Sequence, residues 1–179
     1  MVDSQTHFLH QIPAGAEVLI LGGGTGWLLE KISEQNKSCK ILYVDLSAEM
    51  IRRARSRKTL DEVQFIQGTA QDIPKTLTFD VIITNFYLDL FSDQNLNSNL
   101  RHIQTRCKPQ TLWFVSEFVE TKRWHTWLLK LMYLFFKVAC GIEGSGLPRW
   151  REALQAMGWR TRDQRFLFGG FINTSFWVR

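Results

Sequence analysis

Residues 18–26 read Val-Leu-Ile-Leu-Gly-Gly-Gly-Thr-Gly. The apolar run predicts a strand buried on both faces. The glycines then turn the chain sharply into a helix that begins near Gly26–Trp27. A second apolar strand, Ile41 to Val44, ends in Asp45. A glycine turn followed by an acid at the next strand tip is how α/β folds hold an adenosine-type ligand. Bare backbone lets the ligand approach closely, and the acid accepts hydrogen bonds from the ribose hydroxyls.

Working outward, strand and helix alternate from Glu17 to about Cys140. Strands are expected at Glu17–Leu21, Lys40–Val44, Val63–Ile66, Phe79–Thr84 and Thr111–Ser116. Helices are expected at Gly26–Gln35, after a Ser47 cap, and near Asp93–Cys107. Pro148 starts a short helix that stops at Gly158. Two strands close the chain, about Trp159–Phe168 and Ile172–Val178, joined at Gly169-Gly170. So tight a link makes them antiparallel. The expected fold is therefore α/β: a Rossmann-like, seven-stranded, mostly parallel sheet with helices on both faces and an antiparallel last strand.

A chain of 179 residues, 45% hydrophobic and 22% charged, suits one soluble globular domain. The three cysteines (Cys39, Cys107 and Cys140) are scattered and lack metal-ligand spacing. A reducing, cytoplasmic setting is expected, with no disulfide framework and no metal. Met1 to His10 carries no signal-peptide pattern. The net charge is +5, and much of it sits in Arg52-Arg53-Ala54-Arg55-Ser56-Arg57-Lys58. A nucleic-acid or anionic-membrane surface is one reading of this run. The plainer one, which we favour, is a solvated helix face with basic residues near its C-terminal end.

Counted from Gly22, a dinucleotide G-x-G-x-x-G motif would place its third glycine at Trp27, where an indole opposes close helix–strand packing. The spacing present is G-x-G-x-G, at Gly22, Gly24 and Gly26. This resembles motif I of the class I S-adenosylmethionine-dependent methyltransferases, and the likeness continues in register. Tyr43-Val44-Asp45-Leu46-Ser47 resembles their second-strand motif. Phe65-Ile-Gln-Gly68-Thr-Ala70-Gln-Asp72-Ile-Pro74 resembles their F-x-x-G-D-A-x-D-L-P segment. Phe79-Asp80-Val81-Ile82 resembles their fourth strand, and Thr111 to Phe118 lies where their fifth strand delivers an acid. Glu117-Phe118 is similar to the end of that strand in the quinone-biosynthesis methyltransferases. Two departures remove polar contacts: Ile20 stands where an acid is common, and Thr69 replaces the aspartate of G-D-A. Asn85-Phe86-Tyr87 lacks both prolines of the N-P-P-Y signature of amino-methylating DNA enzymes.

The resemblance implies S-adenosylmethionine as cofactor and a single methyltransferase domain over 1–179. Within it, 1–16 would be an N-terminal cap segment and 17–118 the cofactor-binding core. Residues 119–158 would supply substrate cap helices, and 159–179 the C-terminal strand pair. Gly22, Gly23, Gly24 and Gly26 would admit the methionine moiety, and Asp45 would hold the ribose. Leu46 and Met50 would pack on adenine, or belong simply to the core. Thr69, Ala70 and Gln71 would meet the adenine edge, and Asn85 the cofactor amino group. Should the acceptor need a base, Tyr87 and Glu117 are the candidates at the right strand tips. His7 and His10 sit on a segment that could fold over the cofactor, whereas His102 and His125 read as helix-surface residues.

Trp124–Cys140 is strongly apolar around most of its helical circumference, broken by one stripe of Thr126, Lys130, Tyr133 and Lys137. Three readings stand: a core helix covered by Ser145–Met157, the wall of a lipophilic substrate pocket or a peripheral membrane contact, and a homodimer interface. The link Gly141–Gly146 is either a lid hinge or a plain connector. The expected function is methyl transfer to a small-molecule acceptor of apolar character. The alternatives are a nucleic-acid methyltransferase and a non-catalytic cofactor-binding protein of the same fold.

Overall fold

The computed structural model describes residues 2–35, 38–57, 62–122, 125 and 147–179. Its strands are β1 (Glu17–Leu21), β2 (Lys40–Asp45), β3 (Val63–Gln67), β4 (Phe79–Asn85), β5 (Cys107–Phe118), β6 (Arg160–Leu167) and β7 (Ile172–Val178). They form one seven-stranded sheet in the order β3-β2-β1-β4-β5-β7-β6. Neighbours pair in parallel from β3 to β5, and β7 runs antiparallel to both β5 and β6. The reversed final strand expected from the Gly169-Gly170 link is present.

The apolar run of β1 faces two cores. Leu19 and Leu21 enter one, Val18 and Ile20 the other, and none of these four is more than 1% exposed. Helices α1 (Val2–Thr6), α2 (Trp27–Gln35) and α3 (Ala48–Arg55) lie on the Val18 side. Helices α4 (Asp93–Gln104) and α5 (Trp150–Ala156) cover the Leu19 side, inserting Leu96, Leu100, Ile103, Trp150 and Leu154. Ser47 caps α3 by accepting the Met50 N–H, as its position suggested.

Two elements differ from the sequence expectation by more than two residues at one end. β5 begins at Cys107, not Thr111, and α4 stops at Gln104. Pro109 cannot donate to a sheet ladder, so it reads as a break; here it sits in a register shift, where Cys107 pairs with Phe79 and Leu112 with Val81. At the amino end, α1 and a 3-10 turn at Leu9–Gln11 bury Phe8, Leu9 and Ile12 in the second core. The Ser116 hydroxyl fastens this segment by donating to the Ser4 carbonyl (2.9 Å). The expected helix Trp124–Cys140 and link Gly141–Gly146 lie outside the described residues, apart from His125. Among the described residues no helix is long and apolar enough to cross a membrane.

Trp113 is the keystone of the first core. It is wholly buried, meets Trp159 edge-on (centroids 5.1 Å apart) and donates from its indole to Thr84 Oγ1 (3.0 Å). Trp113→Ala should destabilise the fold by about 3–5 kcal/mol, measured as a lowered urea midpoint.

Candidate functional site

The glycine turn stands at the carboxyl tip of β1, and β2 holds it from the side. Tyr43 of β2 is buried, and its hydroxyl donates to the Gly24 carbonyl (2.7 Å). Burial first, then the nearby Asp45 carboxylate, pushes that hydroxyl well above the ordinary tyrosine range, so it remains a donor. A Cβ on Gly23 would land inside the Tyr43 ring, so only glycine fits there. Asp45 Oδ2 accepts the Gly24 N–H (2.8 Å), and Oδ1 accepts the Ser47 N–H (2.9 Å). Both peptide groups of Gly24 are thus fixed by one strand. Gly24 itself has φ of +64°, and a Cβ there would meet nothing within 4 Å. Its outer face is open space.

That space is a cavity of about 220 Å³ lined by the glycine turn together with Gln5, Ile20, Trp27, Asn85 and Phe86, among others. Asn85 ends β4, and its Nδ2 is buried without an acceptor among the described residues. Phe86 follows in the left-handed region (φ 52°), a strained conformation for a bulky residue. Ile20, 1% exposed, forms apolar wall where an acid would otherwise stand. Gln5 comes from α1 and was missed in the sequence, where a five-residue helix gives no periodic signal.

The adenine side is more open. Leu46 is 72% exposed beside Asp45, and Met50 is half-buried on α3. Across the groove, Thr69 caps a short turn: its N–H (2.7 Å) and hydroxyl (3.0 Å) both donate to Asp72 Oδ2, while Gln71 N–H donates to Thr69 Oγ1 (3.2 Å). The Thr69 N–H leads the bonds that hold the Asp72 carboxyl below its usual range. Ala70 is buried and Gln71 exposed.

The two acid–base candidates point inward. Tyr87 is 8% exposed, and its hydroxyl pairs with the Asn99 amide (Nδ2 at 3.2 Å). Burial pushes this phenol to about 12. Its ring packs behind Gly22, where an added Cβ would approach Tyr87 Cδ2 to 2.8 Å. Glu117 is 0% exposed, and its Oε1 accepts the N–H groups of Tyr87 (2.9 Å) and Leu88 (2.8 Å). His7 lies against Phe8 and near Arg165, and His10 bonds Gln11; neither lines the cavity. His125 is not a surface residue: it is buried, accepts the Thr121 N–H at Nδ1 and packs against Phe171.

The arginines of the basic run have intramolecular partners. Arg52 and Arg53 pair with Glu49, and Arg55 lies over the Phe65 ring. Arg57 donates to the Thr25 carbonyl (2.6 Å) and pairs with Glu30, bracing the glycine turn from behind. Lys58 lies outside the described residues. Among the described residues, no group of three or more His, Cys, Asp or Glu is placed to hold a metal ion.

A model of the methyltransferase domain matches residues 18–110, from β1 into β5. The chain belongs to the class I S-adenosylmethionine-dependent methyltransferases. Methyltransferases of known role share this core. The malonyl-[acyl-carrier protein] O-methyltransferase of Priestia megaterium is 30% identical over 104 residues, covering 58% of this chain and 36% of that protein. The ubiquinone/menaquinone biosynthesis C-methyltransferase of Hahella chejuensis is 31% identical over 113 residues, covering 60% and 45%. The chain therefore spans less than half the length of these curated relatives. Among solved structures, the cyclopropane synthase MmaA2 of Mycobacterium tuberculosis has a TM-score of 0.76 at 12% identity, over 97% of this chain and 82% of that one. The magnesium protoporphyrin IX methyltransferase of Synechocystis reaches 0.71 at 16% identity, over 99% and 81%. At these identities the likeness is one of methyltransferase fold.

Gly23→Ala should force Tyr43 out of place and destabilise this methyltransferase by about 1–3 kcal/mol. A lowered thermal midpoint, with Gly23→Ala costing little further in a Tyr43→Ala background, checks the proposed clash.

Proposed function

We propose that the chain binds S-adenosylmethionine across the tips of β1, β2 and β4 and transfers its methyl group to a small, apolar acceptor. The observation that carries this reading is Gly24: its peptide groups are locked by Tyr43 and Asp45, while its outer face opens on the cavity. The residues present fit the cofactor. A carboxylate has about four acceptor sites, so Asp45 keeps lone pairs for ribose hydroxyls. Exposed Leu46 and half-buried Met50 offer an apolar face to adenine, and the backbone at Ala70, with Gln71, serves its edge. Thr69 acts through the turn it caps. Asn85 Nδ2, a buried donor without an acceptor among the described residues, and Gln5 face the methionine end, as does the amino end of α2.

When bound, S-adenosylmethionine supplies a methyl group already activated by its sulfonium. The chain's own residues align the acceptor with that group and exclude water. Among the described residues that line the cavity, none is titratable. An aromatic run leads away from it: Phe86 lies 4.8 Å from Phe118, which lies 5.0 Å from Phe171. This apolar approach supports a hydrophobic acceptor, as do relatives named for quinone biosynthesis. A nucleic-acid substrate is not favoured, because Arg52, Arg53, Arg55 and Arg57 are all engaged within the chain. Peripheral membrane contact and homodimerisation rest on the Trp124–Cys140 stretch, outside the described residues.

Calorimetry with S-adenosylmethionine tests the first half of this reading. Binding is expected, and Asp45→Ala should weaken it by about 1.5–3 kcal/mol. No heat at millimolar cofactor would remove its basis. For the second half, methyl-labelled cofactor should label members of a panel of phenols, quinols and fatty acids. Binding without any transfer would leave the non-catalytic alternative.

A further inference from the structure

Glu117 and Asp89 are buried acids that no step above uses. Glu117 stands near the end of β5, and Asp89 lies in the turn after β4, 7% exposed. The two carboxyls are near enough to repel each other, and Glu117 Oε2 and Asp89 Oδ1 have no hydrogen-bond partner among the described residues. A proton held between the acids meets that need. Glu117 Oε1 meanwhile gathers the consecutive N–H groups of Tyr87 and Leu88. Just before them, Phe86 is held at positive φ, with its N–H on the Ser116 carbonyl (2.8 Å). Just beyond, the Tyr87 ring backs Gly22. A continuous line of contact therefore runs from the β5 acid, through the strained turn, to the glycine turn.

We propose that Glu117 is a positioning residue which, sharing a proton with Asp89, holds the turn after β4 against the glycine turn and so shapes the cofactor cavity. This rests on the reading of that cavity as the cofactor site. The role differs from that of a general base, since Glu117 has no exposed surface and its Oε1 is already bonded to backbone. Burial, then repulsion from Asp89, raises Glu117 well above the usual carboxylate range, and burial lifts Asp89 to about 6. Both shifts favour a proton retained by the pair. Rising pH removes it, leaving two buried like charges that push the turn outward. Among the described residues, β7 sets uncharged Asn173 directly across from Glu117. On the turn itself the other titratable group is the Tyr87 phenol, tied to Asn99 on α4.

The Tyr87 and Leu88 amide resonances of the cofactor-free wild type provide the first test. Both should shift together as pH rises, with one midpoint, and stay fixed in Glu117→Gln. That amide keeps an oxygen for the two N–H groups and donates a permanent proton to Asp89. S-adenosylhomocysteine affinity is the second readout. Glu117→Gln should stay within about threefold of wild type at pH 7 and lose its pH dependence, whereas Glu117→Leu should weaken binding by about tenfold or more. Should Glu117→Leu not fold, Asp89→Asn replaces it: it too should abolish the shared titration. The proposal is overturned by wild-type amides that ignore pH, by Glu117→Gln binding tenfold or more below wild type, or by Glu117→Leu binding like wild type. Because the amide titration needs no ligand, a wild type that titrates but binds no nucleoside would defeat the cofactor reading and leave the clamp standing.

Discussion

Everything at the ligand-facing edge of this sheet depends on how β2 grips the two peptide groups of one residue. Tyr43 and Asp45 lie two positions apart on the same strand, and they take the carbonyl and the amide of Gly24. A five-residue turn rich in glycine would otherwise sample many conformations, since each glycine has the widest backbone freedom of any residue. Here two side-chain hydrogen bonds from β2 restrict that freedom at Gly24. A ligand therefore meets a preformed surface and does not have to organise it, which is how preorganisation raises affinity. Arg57 adds a third hold from behind, at the Thr25 carbonyl.

Much of the architecture was legible because it follows from short-range chemistry. The bounds of β1 and β7 fall where the apolar runs and glycine links put them, and Ser47 caps α3 as read. The glycine turn and the acid at the tip of β2 were legible for the same reason: both are local features. What escaped was decided by partners far away in sequence. Tyr43 was read as part of a motif, yet its place under Gly23 is set by the pairing of β1 with β2. Glu117 was read from its strand-tip position as an acid near the chemistry. Its bonds to Tyr87 and Leu88 depend on how β4 and β5 end side by side. His125 looked solvent-facing on a helical wheel, and only the fold shows Phe171 against it.

The basic run shows how composition can mislead where geometry does not. A cluster of arginines on one short helix suggests a polyanion site. In the fold they diverge to different tasks: ion pairs with Glu49, a stack on Phe65 and a brace for the glycine turn. Formal charge is unchanged by these contacts, but the donors are directed inward or along the helix. For Arg57 the gain is one of shape as much as charge, because its fork reaches both Thr25 and Glu30.

The Ser116 hydroxyl joins three remote parts of the chain, donating to the Ser4 carbonyl and pairing with Thr174 Oγ1 at 3.0 Å. β7 enters the sheet between β5 and β6, both of which precede it. The amino-terminal helix thus rests on a junction finished only by the final strand. During synthesis, the residues around Ser4 must wait for β7 before they can settle. The wall that carries Gln5 is accordingly raised only after β7 has paired.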